Sequence, residues 1–350
     1  MDKRTFIKSS FAAAATVGFA STGLSAQKTE ADTKKRNTER SVVKPQKLEL
    51  GDSILLISPG THVSDPLLIK KAIENIESLG YRAEVSYDPN MKYQGYNTRS
   101  RDERAEELIR GFEDDRFQGV WCIRGGYGTM DILNLLDYDI IRKNPKPFFG
   151  YSDITALHQA FFNKTGLITF HSPVALSNIE GFTRDSLSKL LNDGSEGLTL
   201  ETVPEGKSVY NFALGDSRGR LVGGNLSLVS ALCGTEYLCP TEGCNVFLED
   251  VGERPYRLHR MLKQLELAGY FESARSLLMG VCDDCDKGSG HTSDMTEAQV
   301  YQEIFSRFSC PASIEAYIGH TKDQATLPHG ALVSFDSKTG SYTLMEDVYS

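Results

Sequence analysis

A serine stands at a sharp change of chain direction in Gly150-Tyr151-Ser152-Asp153, between the apolar pair Phe148-Phe149 and a helix-like run over residues 154–162. A hydroxyl presented on such a turn is exposed, and it becomes a nucleophile when a neighbouring base removes its proton. The base works best when a third group orients it. The chemistry would be nucleophilic catalysis, and the partners to look for are an imidazole and a carboxylate that also stand at the ends of strands.

The chain has seven histidines. His158 and His259 fall inside helix-like runs, and His62 and His291 in polar loops. His329 follows a proline in a loop before a final hairpin. His171 and His320 each end a strand-like run, and Gly319 frees the backbone beside His320. Among the acids, Glu249 closes the apolar run Asn245-Val-Phe-Leu248. A carboxylate at the end of a buried strand needs a partner, and an imidazole is a natural one. Spacing alone leaves His171 and His320 as rivals for that place.

The elements that must position these residues alternate in type. Apolar runs at residues 53–58, 82–87, 119–123, 148–149 and 167–170 read as strands. Helical periodicity falls between them, at residues 66–79 (with Ser64 as cap), 101–112, 132–136 and 154–162. That alternation predicts an α/β fold with a parallel sheet covered on both faces. Ligands of such sheets bind beyond the carboxyl ends of the strands, where Ser152 and a second glycine turn, Arg124-Gly-Gly-Tyr-Gly128, both lie.

Residues 177–218 lose the pattern and read as a linker between an amino-terminal domain, 47–176, and a carboxy-terminal domain, 219–350. In the second domain, strands are expected at 219–222, 245–249, 274–281 and 313–318. A hairpin is expected over 331–335 and 342–345.

Composition narrows the function classes. A net charge of −9 over 350 residues, with no basic patch, argues against nucleic acid as a partner. The seven cysteines are odd in number and irregular in spacing, unlike a disulfide framework. Cys282-x-x-Cys285 lacks the second pair a zinc site needs, and the pattern favours two unlinked small residues at a strand end over a disulfide. Residues 1–26 combine a basic start, an apolar run over 11–20 and small residues up to Ser25-Ala26, the pattern of a cleaved secretory signal. Lys3-Arg4 makes it similar to a twin-arginine signal with the first arginine replaced. Export, to the periplasm, is the expectation, with no stable membrane span after cleavage. Residues 27–46 are polar and read as a flexible tether.

Longer stretches carry a resemblance. IRGGYGTMDILNLLDYDIIRKNPKPFFGYSDITALH, LITFHSP, GRLVGGNLSLVSALCGT, VFLEDVGERPYRLHRMLKQLELAG and the IGH of AYIGH follow one another in the order found in the LD-carboxypeptidases, serine peptidases also called muramoyltetrapeptide carboxypeptidases. The resemblance spans roughly residues 48 to 345, and several long motifs in order are more specific than one serine motif. It implies a flavodoxin-like amino-terminal domain and a smaller, swivelling β/α carboxy-terminal domain. It also implies Ser152 as nucleophile, His320 as base and Glu249 as the orienting acid, with no metal and no cofactor.

The substrate so implied is a murein tetrapeptide, cleaved to release its terminal D-alanine, and the assembly a homodimer. Oxyanion donors would be the backbone N–H of Asp153 and one from Gly125 or Gly126. Arg124, Tyr151 and His171 are the candidate substrate contacts. Two rival readings are a peptidase like the microcin-immunity enzymes, acting on aminoacyl-nucleotide conjugates, and a non-catalytic exported protein that binds murein fragments.

Overall fold

The computed structural model describes residues 41–90, 95–96, 98–285 and 295–350. The expected signal, most of the expected tether and His291 lie outside the described residues. From Val42 to Ser350 the chain folds as one unit around two sheets.

In the first sheet, β1 (Ser53–Ile57), β2 (Arg82–Val85), β3 (Gly119–Cys122), β4 (Phe148–Gly150) and β5 (Thr169–His171) run parallel in the order β5-β4-β3-β1-β2. The residues of β3, β4 and β5 are buried throughout. Strands covered on both faces need apolar side chains at every position, which is why they read as unbroken apolar runs.

Asp65, not Ser64, caps the first helix (Pro66–Glu77), accepting from Leu67 N at 2.8 Å. Pro66 takes the first helical position, where its missing N–H would have no partner in any case. Helix Arg101–Glu113 begins with a capping box formed by Ser100 and Glu103. The helical turn expected at 132–136 is a 3-10 helix, Thr129–Leu135, followed by a short α-helix, Tyr138–Lys143, that is too brief to show a period.

In the second sheet, β8 (Asp216–Asn225), β9 (Asn245–Glu249), β10 (Ser276–Gly280) and β11 (Ala312–Ala316) are parallel. The expected hairpin forms from β13 (Leu332–Asp336) and β14 (Ser341–Leu344), and β13 pairs with β8. The segment read as a linker carries regular elements. Helix Gly181–Asn192 buries Leu187, Leu190 and Leu191, and β6 (Thr199–Leu200) and β7 (Tyr210–Ala213) flank the second sheet.

His329 is not in a loop. It belongs to β12 (Leu327–His329), which runs antiparallel to β5 at the edge of the first sheet, with His329 fully buried. Pro328 obscured this strand in the sequence, since proline cannot donate to a ladder, but an edge strand tolerates it.

Cys282 and Cys285 are joined in a disulfide, contrary to the unlinked reading. The turn after β10 brings their Cα atoms to 5.6 Å, inside the range a disulfide spans. Among the described residues no group of three or more His, Cys, Asp or Glu is placed to hold a metal ion. No described helix is long and apolar enough to cross a membrane.

Candidate active site

Three turns converge at the carboxyl ends of the first sheet: Pro59-Gly60 after β1, Arg124 to Gly128 after β3, and Tyr151-Ser152 after β4. Thr129 ties the second to the third, its N–H donating to Asp153 Oδ2 at 2.9 Å and its hydroxyl to Asp153 O at 2.5 Å. Arg104, buried in helix Arg101–Glu113, ties the first to the second by donating to Pro59 O at 2.6 Å and Gly128 O at 2.7 Å. Gly125 lies directly against the serine. A Cβ there would stand 2.9 Å from Ser152 Cβ, so only glycine permits the approach.

Ser152 itself has φ +67°, a left-handed conformation that costs a residue with a side chain on the order of 1–3 kcal/mol. Its surroundings hold it there. His158, on the helix that follows (Thr155–Thr165), donates from Nε2 to Gly150 O at 2.8 Å and accepts the Thr169 hydroxyl at Nδ1, also at 2.8 Å. A carbonyl can only accept, so Nε2 carries the hydrogen. Burial pushes His158 down to about 4, against the opposing pull of the Gly150 carbonyl, and the ring stays neutral.

The second sheet supplies the other two groups. β9 ends on Glu249, which is fully buried, and the chain beyond β11 reaches His320 after a bridge between Ile318 and Ala325. His320 Nε2 stands 2.9 Å from Ser152 Oγ, and its Nδ1 2.7 Å from Glu249 Oε2. The same carboxylate oxygen accepts the backbone N–H of His320 at 3.2 Å. A carboxylate accepts and does not donate, so the imidazole hydrogen is on Nδ1 and Nε2 is left to accept the serine proton. Burial alone would lower the pKa of His320. The hydrogen bond to Glu249, then the charges of Glu249 and Asp250, outweigh it and hold His320 above its ordinary 6.5.

Asp250 secures the strand end by accepting from Ser227 N at 2.9 Å and from the Ser227 hydroxyl at 2.8 Å. Burial, and then the charge of Glu249, push Asp250 up to about 6.

Gly319 is where the two partners meet. It has φ +76°, and a Cβ on it would lie 2.0 Å from Glu249 Oε2. Gly319→Ala is therefore expected to fold but to displace Glu249 and His320. Misplacing reacting groups by about 1 Å costs roughly a hundredfold in rate. The check is kcat at unchanged circular dichroism, and full activity in this variant would mean that the observed pairing is not the working one.

The remaining candidates divide. Gly126 packs on Thr61, and the Tyr151 ring lies 4.8 Å from His320, forming a wall of the site. Arg124 is exposed and in no ion pair with a described residue, which weighs against a purely structural role. His171, the rival imidazole and candidate substrate contact, is fully buried with neither ring nitrogen hydrogen-bonded to a described residue, 6.1 Å from the Tyr151 ring. It lies behind the wall of the site rather than on its surface, because β5 is covered by β12 and by helix Thr155–Thr165. His62 is buried against Tyr87 rather than in an open polar loop, and His259 faces Glu303 at 3.4 Å.

Sequence reasoning passed over Gly60, Arg104, Thr129 and His158. Gly60 could have been found from its place after β1. Arg104 is a charge inside an apolar helical stripe, and the other two leave no mark in a single sequence.

Comparison with known proteins agrees with this architecture. Residues 54–172 match the LD-carboxypeptidase N-terminal domain, and residues 218–335 the LD-carboxypeptidase C-terminal domain. A probable murein peptide carboxypeptidase of Bacillus subtilis (strain 168) is 35% identical over 301 residues, covering 84% of this chain and 92% of that protein. The microcin C7 self-immunity protein of Escherichia coli is 27% identical over 329 residues, covering 85% and 94%. The solved structure of a muramoyltetrapeptide carboxypeptidase from Oxalobacter formigenes superposes with a TM-score of 0.73 at 26% identity, covering 85% of this chain and all of that one.

Proposed function

The chain belongs to the LD-carboxypeptidase family, and from that membership together with the hydrogen-bonded line Ser152–His320–Glu249 we propose that it is a serine carboxypeptidase releasing terminal D-alanine from murein tetrapeptides. The observation that carries the reading is the unbroken geometry from Glu249 Oε2 through both imidazole nitrogens to Ser152 Oγ.

In the proposed reaction, His320 Nε2 takes the serine proton as Oγ bonds to the carbonyl carbon preceding D-alanine. The carbonyl oxygen becomes an oxyanion. The backbone N–H of Asp153 and that of Gly125 or Gly126 face it, each donor contributing about 3–4 kcal/mol in comparable sites. Glu249 stabilises the imidazolium through the Nδ1–H bond. The C–N bond then breaks, His320 gives its proton to the leaving amine, and D-alanine departs. Water, deprotonated by the same imidazole, hydrolyses the ester on Ser152 and restores the free enzyme. Arg124, exposed beside the glycine turn, suits the terminal carboxylate of the substrate.

Export to the periplasm and assembly as a homodimer belong to the same proposal. Its test is incubation of the chain from residue 27 onward with disaccharide tetrapeptide. Stoichiometric D-alanine is the expected product, and none released would overturn the reading. The likeness to the microcin self-immunity protein favours a second reading, cleavage of an aminoacyl sulfamoyl nucleotide. Turnover of that compound with no D-alanine release would replace the first reading by the second.

A further inference from the structure

We propose that Tyr127 and Tyr96 form a stacking platform for a pyranose ring, so that the site holds the sugar-bearing end of a murein fragment as well as its peptide. The proposal rests on the carboxypeptidase reading above and adds a binding subsite to it. Tyr96 is 78% exposed and Tyr127 54% exposed, yet their rings meet each other at 4.9 Å between centroids, tilted by 50°. Scattered exposed aromatics are ordinary. Two in contact, beside a candidate nucleophile, make a continuous apolar patch of the kind that marks a contact surface.

At Tyr127 the patch is presented from pinned backbone. Tyr127 N donates to Thr61 Oγ1 at 3.1 Å, Gly128 O accepts from the buried Arg104, and Thr129 is locked to Asp153. On the other side, Thr98 donates its N–H and its hydroxyl to Gly95 O at 2.9 and 3.0 Å. A tyrosine has only two side-chain torsions to fix, so it loses little freedom on binding, which favours affinity. The place is also right: Tyr127 is two residues beyond Gly125, which lies against Ser152. The platform therefore flanks the nucleophile along the turn after β3.

The chemistry selects the ligand. An aromatic face carries partial negative charge and attracts the polarised C–H groups on one face of a pyranose, while disfavouring carboxylates and phosphates. The phenol hydroxyls can donate to and accept from the sugar hydroxyls at the ring edge. In a murein fragment the sugar sits at the amino end of the peptide, opposite the D-alanine that leaves. A platform beside the nucleophile would grip that end without obstructing release.

The experiment compares disaccharide tetrapeptide with free tetrapeptide in the wild type, Tyr127→Ala and Tyr127→Phe. The wild type is expected to show a higher kcat/KM for the sugar-bearing substrate. Tyr127→Ala is expected to lower that ratio about tenfold, chiefly through KM, as loss of an aromatic anchor does, and Tyr127→Phe to keep most of it. Equal kcat/KM for both substrates in the wild type, or an equal fall for both in Tyr127→Ala, would overturn the platform. Saturation-transfer NMR with the disaccharide alone reads the same contact without turnover. Sugar signals are expected in the wild type and lost in Tyr127→Ala, and equal signals in both refute the platform. Because this readout needs no D-alanine release, failure of the platform and failure of the carboxypeptidase reading are told apart.

Discussion

Ser152→Ala is expected to lower kcat for D-alanine release by roughly a million-fold, and adding His320→Ala in the same chain to cost almost nothing more. In the proposed mechanism the two side chains act through one proton, which passes along the 2.9 Å contact between Ser152 Oγ and His320 Nε2. Once the acceptor or the donor of that proton is gone, the other has no step left to perform. The residual rate should stay above that of water, because the backbone donors around Gly125 and Asp153 remain. The single and double variants are measured in parallel under saturating substrate, with thermal melting to show that each is folded. Alanine at position 152 keeps the left-handed backbone no worse than serine does, so little change in melting temperature is expected. Strictly multiplicative losses would show that the two residues do not work as a unit.

Glu249→Gln is expected to lower kcat by about ten-thousand-fold, the scale seen when the acid of such a set becomes an amide. The substitution keeps the size of a fully buried side chain and removes its charge. It also places an amide NH2 at the position of one carboxylate oxygen, and Oε1 already lacks a partner among the described residues. If the amide turns its NH2 toward His320 instead, the imidazole must flip its tautomer and Nε2 can no longer take the serine proton.

The pH profile separates this effect from general damage. His320 must be neutral to act as base, and it titrates above 6.5, burial being outweighed by the Glu249 hydrogen bond and the charges of Glu249 and Asp250. In the wild type, kcat/KM should therefore climb with pH through a midpoint above 6.5. In Glu249→Gln the burial of His320 persists while both contributions of Glu249 vanish, so that midpoint should move to lower pH. Asp250, pushed up to about 6 partly by the Glu249 charge, should relax downward in the same variant. An acid limb that stays in place would mean that Glu249 does not control the ionisation of His320.

The first sheet was legible because its inner strands are covered on both faces and its helices on one. Burial of that kind writes itself into the chain as apolar runs and helical stripes, and Pro66 marked a helix start, while the caps were less legible: Asp65 serves where Ser64 was expected, and Ser100 was not singled out. The carboxyl-end rule then put Ser152 and the Arg124 to Gly128 turn on one side of that sheet with no further information. Elements too short to show a period stayed hidden, as with helix Tyr138–Lys143, and so did β12, whose Pro328 reads as a break.

What the local sequence could not decide was which histidine lies in contact with Ser152. His171 and His320 both end apolar strands, and nothing within a few residues of either tells them apart. The answer depends on contacts across 168 residues of chain for Ser152–His320 and 71 for His320–Glu249. Packing settles it. β12 covers the edge beside β5 and seals His171 with no hydrogen bond to a described residue, while Gly319 bends the chain beyond β11 so that His320 lies between the carboxylate and the serine. The residue types and the turn that exposes a hydroxyl were determined locally, because backbone sterics and side-chain burial act over a few residues. The partnership was decided by tertiary structure, because a hydrogen-bond distance between two sheets exists only once both have packed.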